Sequence, residues 1–332
     1  MTDSPIFIVG CPRSGTTLLR DLLRSHPHLT FPNESHFIPR LFRAYGDPQN
    51  EREARRLATI ILKMTWVRAW GLSLAPSFFA DCRSYREVLS RLYEAWMRKE
   101  GKIRWGDKTP LYVAEIPTLL EIFPPSKIIH IYRDGRDVAL SWLRTDFGPK
   151  NLFTAACQWK YLVNTGRRTG ANLSPETYLD ISYETLLSHP EATMKRVCAF
   201  LNEPFCNDVL RPNRLPPEVI IMRRRTWASD SEIIKSNTAK WKKAMSPSDR
   251  ILFESVSGDL LRELGYETEG TTRCISRTEQ LKWEMHNAFS GFRQILDVRK
   301  PGSWAATSLL FRWAEIRGRL RSAMAHYLRR WI

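Results

Sequence analysis

The run Ile6-Phe7-Ile8-Val9 is apolar, largely β-branched and of strand length, and it meets the turn Gly10-Cys11-Pro12-Arg13-Ser14-Gly15. That turn opens a helix-forming stretch, Thr16-Thr17-Leu18-Leu19-Arg20-Asp21-Leu22-Leu23-Arg24. A strand that turns through glycines onto a helix start aims several backbone N–H groups, and the positive end of the helix dipole, at one point. The expected occupant is an anion, a phosphate first of all. Gly10, four residues, Gly15 and two hydroxyl residues nearly fit the phosphate loop G-x-x-x-x-G-K-[ST], but Thr16 stands where the lysine belongs. That lysine reaches the β- and γ-phosphates, and the next Ser/Thr holds magnesium. Its loss argues against ATP or GTP hydrolysis and leaves phosphate binding intact, with Arg13 as a positive charge inside the loop. The plain alternative is a glycine turn in any strand–helix unit.

A second unit of this kind follows at Lys127-Ile128-Ile129-His130-Ile131-Tyr132, then Arg133-Asp134-Gly135-Arg136-Asp137, then a helix through Ser141 and Trp142. Two strand–turn–helix units separated by helical sequence imply a parallel sheet with right-handed crossovers. The predicted fold is α/β, a P-loop-like three-layer arrangement with a central parallel sheet flanked by helices. Ligands of such sheets sit beyond the carboxyl ends of the strands. Arg133 leaves its strand at that edge and Ser141 lies about two turns into the helix, so both are candidates for a second anion contact. A structural arginine at a strand end is the bland reading.

Between these units, prolines 27, 32 and 39 break the stretch from His26 to Pro39 into a loop with room for a short strand. It carries Glu34, a carboxylate close in sequence to the phosphate loop and a candidate base; a surface or capping glutamate is the alternative. Residues 51–99 read as helical and rich in aromatics, more in keeping with core than with ligand contact, and no site is assigned there. Lys102 to Thr109 reads as a short strand ending in a polar turn, where Asp107-Lys108-Thr109-Pro110 caps the next helix and Lys108 is solvated on the bland reading. A further strand is expected at Thr177–Glu184, and helices over Glu191–Leu201 and Pro247–Leu264, the last stopped by Gly265.

The formal charge of +16 favours anionic partners: nucleotides, sulfated or phosphorylated substrates, nucleic acid or an acidic membrane surface. Six scattered cysteines have neither metal-ligand nor framework spacing and read as reduced thiols. His26, His28 and His36 are irregularly spaced around Pro27, so no metal is expected there. The first strand begins by Pro5 and no apolar run reaches spanning length, so a cytoplasmic protein, or one peripheral at a membrane, is expected. From residue 271 onward 12 Lys/Arg stand against 4 Asp/Glu. Over 304–332 the apolar positions Leu309, Trp313, Ile316, Leu320, Met324, Tyr327 and Trp331 recur every three or four residues. A basic amphipathic helix of this kind docks on the protein's own body or a second subunit, or lies on an anionic membrane.

Taken together, these residues resemble the sulfotransferases that use 3′-phosphoadenosine 5′-phosphosulfate (PAPS). Pro12-Arg13-Ser14-Gly15-Thr16-Thr17-Leu18 resembles that family's 5′-phosphosulfate loop, and Arg133 with Ser141, eight positions apart at a strand–helix junction, resembles its 3′-phosphate motif. The similarity covers about residues 5–268 and is nearest to the tyrosylprotein sulfotransferase branch and its bacterial relatives. On that pattern the family's catalytic glutamate falls on Glu34 within Pro32-Asn33-Glu34-Ser35, and its sulfuryl-contacting lysine on Lys108. The family's Tyr-Glu falls on Tyr183-Glu184, and its late Lys-Trp on Lys240-Trp241. Asn33 and His36 replace a glutamate and an arginine on the acceptor side, so transfer to protein tyrosine does not carry over.

The resemblance implies transfer of a sulfuryl group from PAPS to an acceptor hydroxyl, releasing 3′-phosphoadenosine 5′-phosphate (PAP), with no metal. It places catalysis on Glu34, Lys108 and Arg13. Donor binding falls to Pro12, Arg13, Ser14, Gly15, Thr16 and Thr17 at the 5′ end and to Arg133 and Ser141 at the 3′ end, with Tyr183 and Lys240 nearby. The acceptor stays open among small molecules, carbohydrates, lipids and phenolic or tyrosyl groups; nucleic acid is not expected. Residues 1–268 are expected to form the transferase domain and 269–332 a basic, mainly helical extension. The alternatives are a P-loop nucleotide kinase or hydrolase, and a non-catalytic nucleotide-fold binding protein with a basic tail.

Overall fold

In a computed structural model the chain is described over residues 4–145, 147–214 and 236–296, the last six by backbone alone. The amphipathic pattern over 304–332 lies outside the described residues. Five strands, β1 (Ile6–Gly10), β2 (Leu29–Thr30), β3 (Arg104–Lys108), β4 (Lys127–Tyr132) and β5 (Tyr178–Ser182), form one sheet in the order β2-β3-β1-β4-β5. Every pairing is parallel, with Ile6 opposite Gly106 on one side of β1 and Lys127 on the other. The chain runs from β1 out to β2, returns through β3 and crosses to β4 on the far side. The turn after β1 therefore sits at the switch point of the sheet, where open α/β sheets bind their ligands.

The helices are α1 (Thr16–Arg24), α2 (Ile38–Tyr45), α3 (Glu51–Lys63), α4 (Thr65–Arg68), α5 (Tyr85–Glu100), α6 (Ile116–Ile122), α7 (Gly135–Trp142), α8 (Leu152–Gly170), α9 (Tyr183–Ser188), α10 (Pro190–Leu201), α11 (Trp241–Ala244), α12 (Pro247–Glu263) and α13 (Arg277–Leu296). Local sequence sets several starts: Asn50, Ser84, Asn151 and Ser246 each accept a backbone N–H of the first turn of α3, α5, α8 and α12. Because side chains alternate across a strand, β1 feeds two cores. Phe7 and Val9 pack with α5, α6, α7, α8 and α12, while Ile6 and Ile8 pack with α1, α9 and α10. That is the expected three-layer α/β arrangement.

One expectation holds and one changes in detail. The loop after α1 does contain a strand, the two-residue β2, and it closes the sheet edge beside β3. Asp107 and Lys108 lie inside β3 rather than in a capping turn, and all five residues of that strand are buried. Gly106 explains how β2's successor loop comes so close: a Cβ there would fall 2.1 Å from the Phe31 ring and 2.7 Å from the Ile6 carbonyl oxygen. Trp70, Phe79, Tyr85, Tyr93 and Trp96, from the aromatic helical region, are core residues. Among the described residues no helix is long and apolar enough to cross a membrane. α13 lies along α8, with the Asn151 amide donating to the Trp283 carbonyl at 2.8 Å and Lys150 N–H to Asn287 Oδ1 at 2.8 Å.

Candidate active site

The carboxyl ends of all five strands deliver a residue to one place: the 11–15 turn after β1, Glu34 after β2, Lys108 at the end of β3, Arg133 after β4 and Tyr183 after β5. The first turn is held by Ser14 N–H donating to the Cys11 carbonyl at 3.2 Å. Arg13 and Gly15 both take positive φ, 76° and 92°. Gly15 is the N-cap of α1 and offers no side-chain cap, so the helix's first N–H groups remain available to a ligand. Glycine is needed there for a second reason, since a Cβ would meet the Tyr183 ring at 2.2 Å. Gly15→Ala is expected to displace Tyr183 and weaken nucleotide binding at least tenfold; calorimetry with PAP checks it, and unchanged affinity would contradict the packing argument.

Tyr183 joins the turn after β1 to the start of α7. One side of its ring meets Gly15, and the Arg133 guanidinium lies 4.4 Å from its centroid. The Tyr183 hydroxyl accepts from Asn237 Nδ2 at 2.7 Å, and the Asn237 carbonyl accepts from Arg133 Nη2 at 2.8 Å. Asp137, one turn beyond Arg133, bonds Arg133 Nη2 at 3.1 Å through one oxygen and the Trp241 backbone N–H at 2.9 Å through the other. Arg133 is thereby fixed, yet its buried Nε has no hydrogen-bond partner among the described residues. A second tie runs from Arg13 Nε to Ser141 Oγ at 2.9 Å, across 128 residues of sequence.

Beside the loop, the buried Lys108 ammonium pairs with the Glu34 carboxylate and reaches Thr17 Oγ1 at 3.3 Å. The other Glu34 oxygen lies 2.9 Å from His36 Nε2, whose ring packs 4.8 Å from that of Trp66. Burial pushes the Glu34 carboxyl up, but Lys108 and His36 outweigh it and hold the group well below the usual carboxylate range. Burial also lowers Lys108, against the pull of Glu34. Burial lowers Arg13, assisted by Arg133 and opposed by Glu34, which puts the three groups in one electrostatic neighbourhood. The site is a cradle of fixed cations and N–H donors, with the Glu34 carboxylate at the Lys108 end and Asp137 behind Arg133.

Of the residues singled out in the sequence, Arg13, Ser14, Gly15, Thr16, Thr17, Glu34, Lys108, Arg133, Ser141 and Tyr183 are brought together, with Pro12 half-buried in the turn. Lys240 is exposed, and the contacts in its segment are made by Asn237 and Trp241 instead. Trp241 stacks 3.5 Å from the Arg136 guanidinium, which is itself buried between Asp134 and Glu254. Asn237 carries contacts to Arg133 and Tyr183 that no local motif announced.

A separate group, His26, His28 and Glu203, has its ligand-type atoms within 4.8 Å of one another. Both ring nitrogens of His26 are already engaged, with the Pro204 carbonyl at 2.9 Å and the His28 N–H at 3.1 Å. Glu203 bonds His28 at 2.8 Å and Arg104 at 3.1 Å. These contacts clip the end of α10 to the loop after α1.

The donor set suits an anion at either end: uncapped helix N–H groups at one and, among the described residues, an arginine N–H without an acceptor at the other, bridged by Tyr183. A family model described as the sulfotransferase family matches residues 5–207. Protein-tyrosine sulfotransferase A of Caenorhabditis elegans is 26% identical over 285 residues, 83% of this chain and 70% of that protein. The protein-tyrosine sulfotransferase of Drosophila melanogaster is 25% identical over 273 residues, 79% of this chain, which spans about half (51%) of that protein. The sulfotransferase domain from the Synechococcus PCC 7002 olefin synthase aligns at a TM-score of 0.60 with 22% identity, covering 80% of this chain and 95% of that domain.

Proposed function

The chain belongs to the sulfotransferase family, and from that premise we propose that it moves a sulfuryl group from PAPS to an acceptor hydroxyl with Glu34 as the base. The observation that carries this reading is the Arg13–Ser141 hydrogen bond at 2.9 Å, which unites the 5′ loop with the 3′ element in one cradle. PAPS supplies the activated sulfuryl group and a 3′-phosphate that distinguishes it from ATP. The α1 N-terminus with Ser14, Gly15, Thr16 and Thr17 holds the 5′-phosphate, and Arg133 with Ser141 receives the 3′-phosphate. Lys108, already at Thr17, stabilises charge on the phosphate side of the breaking bond. Glu34 takes the acceptor's hydroxyl proton. A sulfuryl group carries less negative charge than a phosphoryl group, so fixed cations and N–H donors suffice where a kinase employs magnesium.

Residues 1–268 form the transferase unit in this reading and 269–332 a basic extension. The names of the relatives make a phenolic or tyrosyl hydroxyl the first acceptor class to test, while Asn33 and His36 alter that side of the site. Incubation with ³⁵S-labelled PAPS and an extract of the source cells is expected to transfer label to an acceptor and release PAP. ATP turnover with no use of PAPS would instead support the nucleotide-hydrolase alternative.

A further inference from the structure

Glu34 sits on a loop that has left the sheet after β2 and not yet entered α2, and prolines at 32 and 39 deny it regular backbone pairing. Its polar backbone groups need partners from elsewhere. Two come from the turn that follows β3. Tyr112, buried, accepts the Ile38 N–H at 2.9 Å on its hydroxyl, which also bonds Ser35 Oγ at 2.8 Å. The Ser35 N–H donates to Thr109 Oγ1 at 3.2 Å. Tyr85, from α5, donates to the Ile38 carbonyl at 2.8 Å. These bonds grip the loop immediately after Glu34, and two of the gripping residues, Thr109 and Tyr112, follow Lys108 closely in sequence.

The gripped backbone is a strained one. His36 takes φ 57°, a left-handed conformation at a residue with a branched ring side chain. Such a conformation persists where the surroundings over-determine it. Here it directs His36 Nε2 back to Glu34 Oε2 at 2.9 Å, while the first Glu34 oxygen meets Lys108.

We propose that Tyr112 is a positioning residue for the transfer reaction, its hydroxyl clamping the Ser35 side chain and the Ile38 backbone N–H to the turn after β3 so that the Glu34 carboxylate is held between Lys108 and His36. This rests on the reading of Glu34 as base. Tyr112 makes no contact with the phosphate loop, Arg133 or Ser141 among its hydrogen bonds, so its effect falls on turnover and not on donor binding.

The test compares Tyr112→Phe and Ser35→Ala with the parent chain, using ³⁵S transfer from PAPS to the acceptor labelled in the cell extract, with PAP affinity by calorimetry. A misplaced reacting group costs up to about a hundredfold, and roughly a tenfold fall in kcat with unchanged PAP affinity is expected. The groups facing Glu34 are Lys108 from β3, His36 from its own loop and Arg13 from the phosphate loop. Loosening it from the first two lets its pKa rise, so the acid limb of the kcat profile moves to higher pH. A residue that only supports the fold would not shift that limb. If Tyr112→Phe keeps kcat and the acid limb while Glu34→Gln loses transfer, the positioning role is overturned. It is also overturned if PAP affinity falls together with melting temperature in both variants. If Glu34→Gln itself retains full transfer, the base assignment fails first and takes this inference with it.

Discussion

Replacing Glu34 with glutamine is expected to cut sulfuryl transfer by about 10²- to 10⁴-fold, the range for loss of a positioned general base, while PAP binds at least as tightly as before. The two halves of that result have separate causes. Glutamine keeps the size of the side chain and an oxygen for Lys108, so the loop and the ammonium stay in place. It cannot accept the acceptor's proton, so the chemical step slows. It also removes a negative charge beside the cradle, and Lys108 no longer divides its attraction between Glu34 and the nucleotide. Glu34→Ala would confound these effects by leaving the buried Lys108 ammonium without a neighbour of the same shape. Transfer rate and PAP affinity measured on one preparation decide the matter; transfer within threefold of the parent would remove Glu34 from the mechanism.

The sign of the pH dependence follows from the same pair. Lys108 and His36 depress the Glu34 pKa despite its burial, so the carboxylate stays ionised throughout the neutral and mildly acidic range. Its folded pKa lies below its unfolded one. The stabilisation it contributes is therefore present above the ordinary glutamate range and lost as pH falls through the lower, folded value. The parent chain should accordingly lose its melting-temperature advantage over Glu34→Gln on acidification.

What could be read from sequence was whatever the backbone encodes locally. Gly10, Gly15 and the Thr16–Arg24 helix announce a phosphate loop because turn, cap and helix occupy consecutive residues, and Arg133 and Ser141 follow the same logic at the second junction. Lys108 was ambiguous for a physical reason. In Arg104-Trp105-Gly106-Asp107-Lys108 a charged ending looks like a solvated turn, and only the approach of Glu34 across 74 residues of sequence allows the ammonium to be buried. Asn237 and Trp241 bond to Arg133 and Asp137 across 104 residues, contacts with no period or spacing to reveal them. Tyr112 lies among ordinary core aromatics, and its role appears only when the Glu34 loop is seen without backbone partners of its own. The missing loop lysine was legible as a residue change, but its meaning required Lys108 at Thr17, a cation brought to the phosphate loop from a neighbouring strand.

Arg133→Ala is expected to weaken PAP by roughly 10- to 150-fold, the equivalent of about 1.5–3 kcal/mol for hydrogen bonds involving a charged group. The loss should be confined to nucleotides that carry a 3′-phosphate. Arg133 is held over Tyr183 by Asp137 and the Asn237 carbonyl, which prepays the entropy of placing its fork, and among the described residues its Nε–H has no acceptor. A donor so fixed and unsatisfied is best explained by an anion that completes it, and AMP, which lacks the 3′-phosphate, cannot do so. AMP affinity should change by less than threefold in the variant, and the preference of the parent chain for PAP over AMP should largely disappear. Arg133 also supports Asp137, whose second oxygen fixes the Trp241 backbone, so a general loosening must be separated from a lost contact. Arg133→Lys makes the separation: it keeps the positive charge but not the planar fork or the second N–H, and an intermediate preference for PAP is expected. Equal losses for PAP and AMP across both variants would mean that Arg133 shapes the cradle without touching the 3′-phosphate, and Ser141, bonded to Arg13, would then lack a partner for that task.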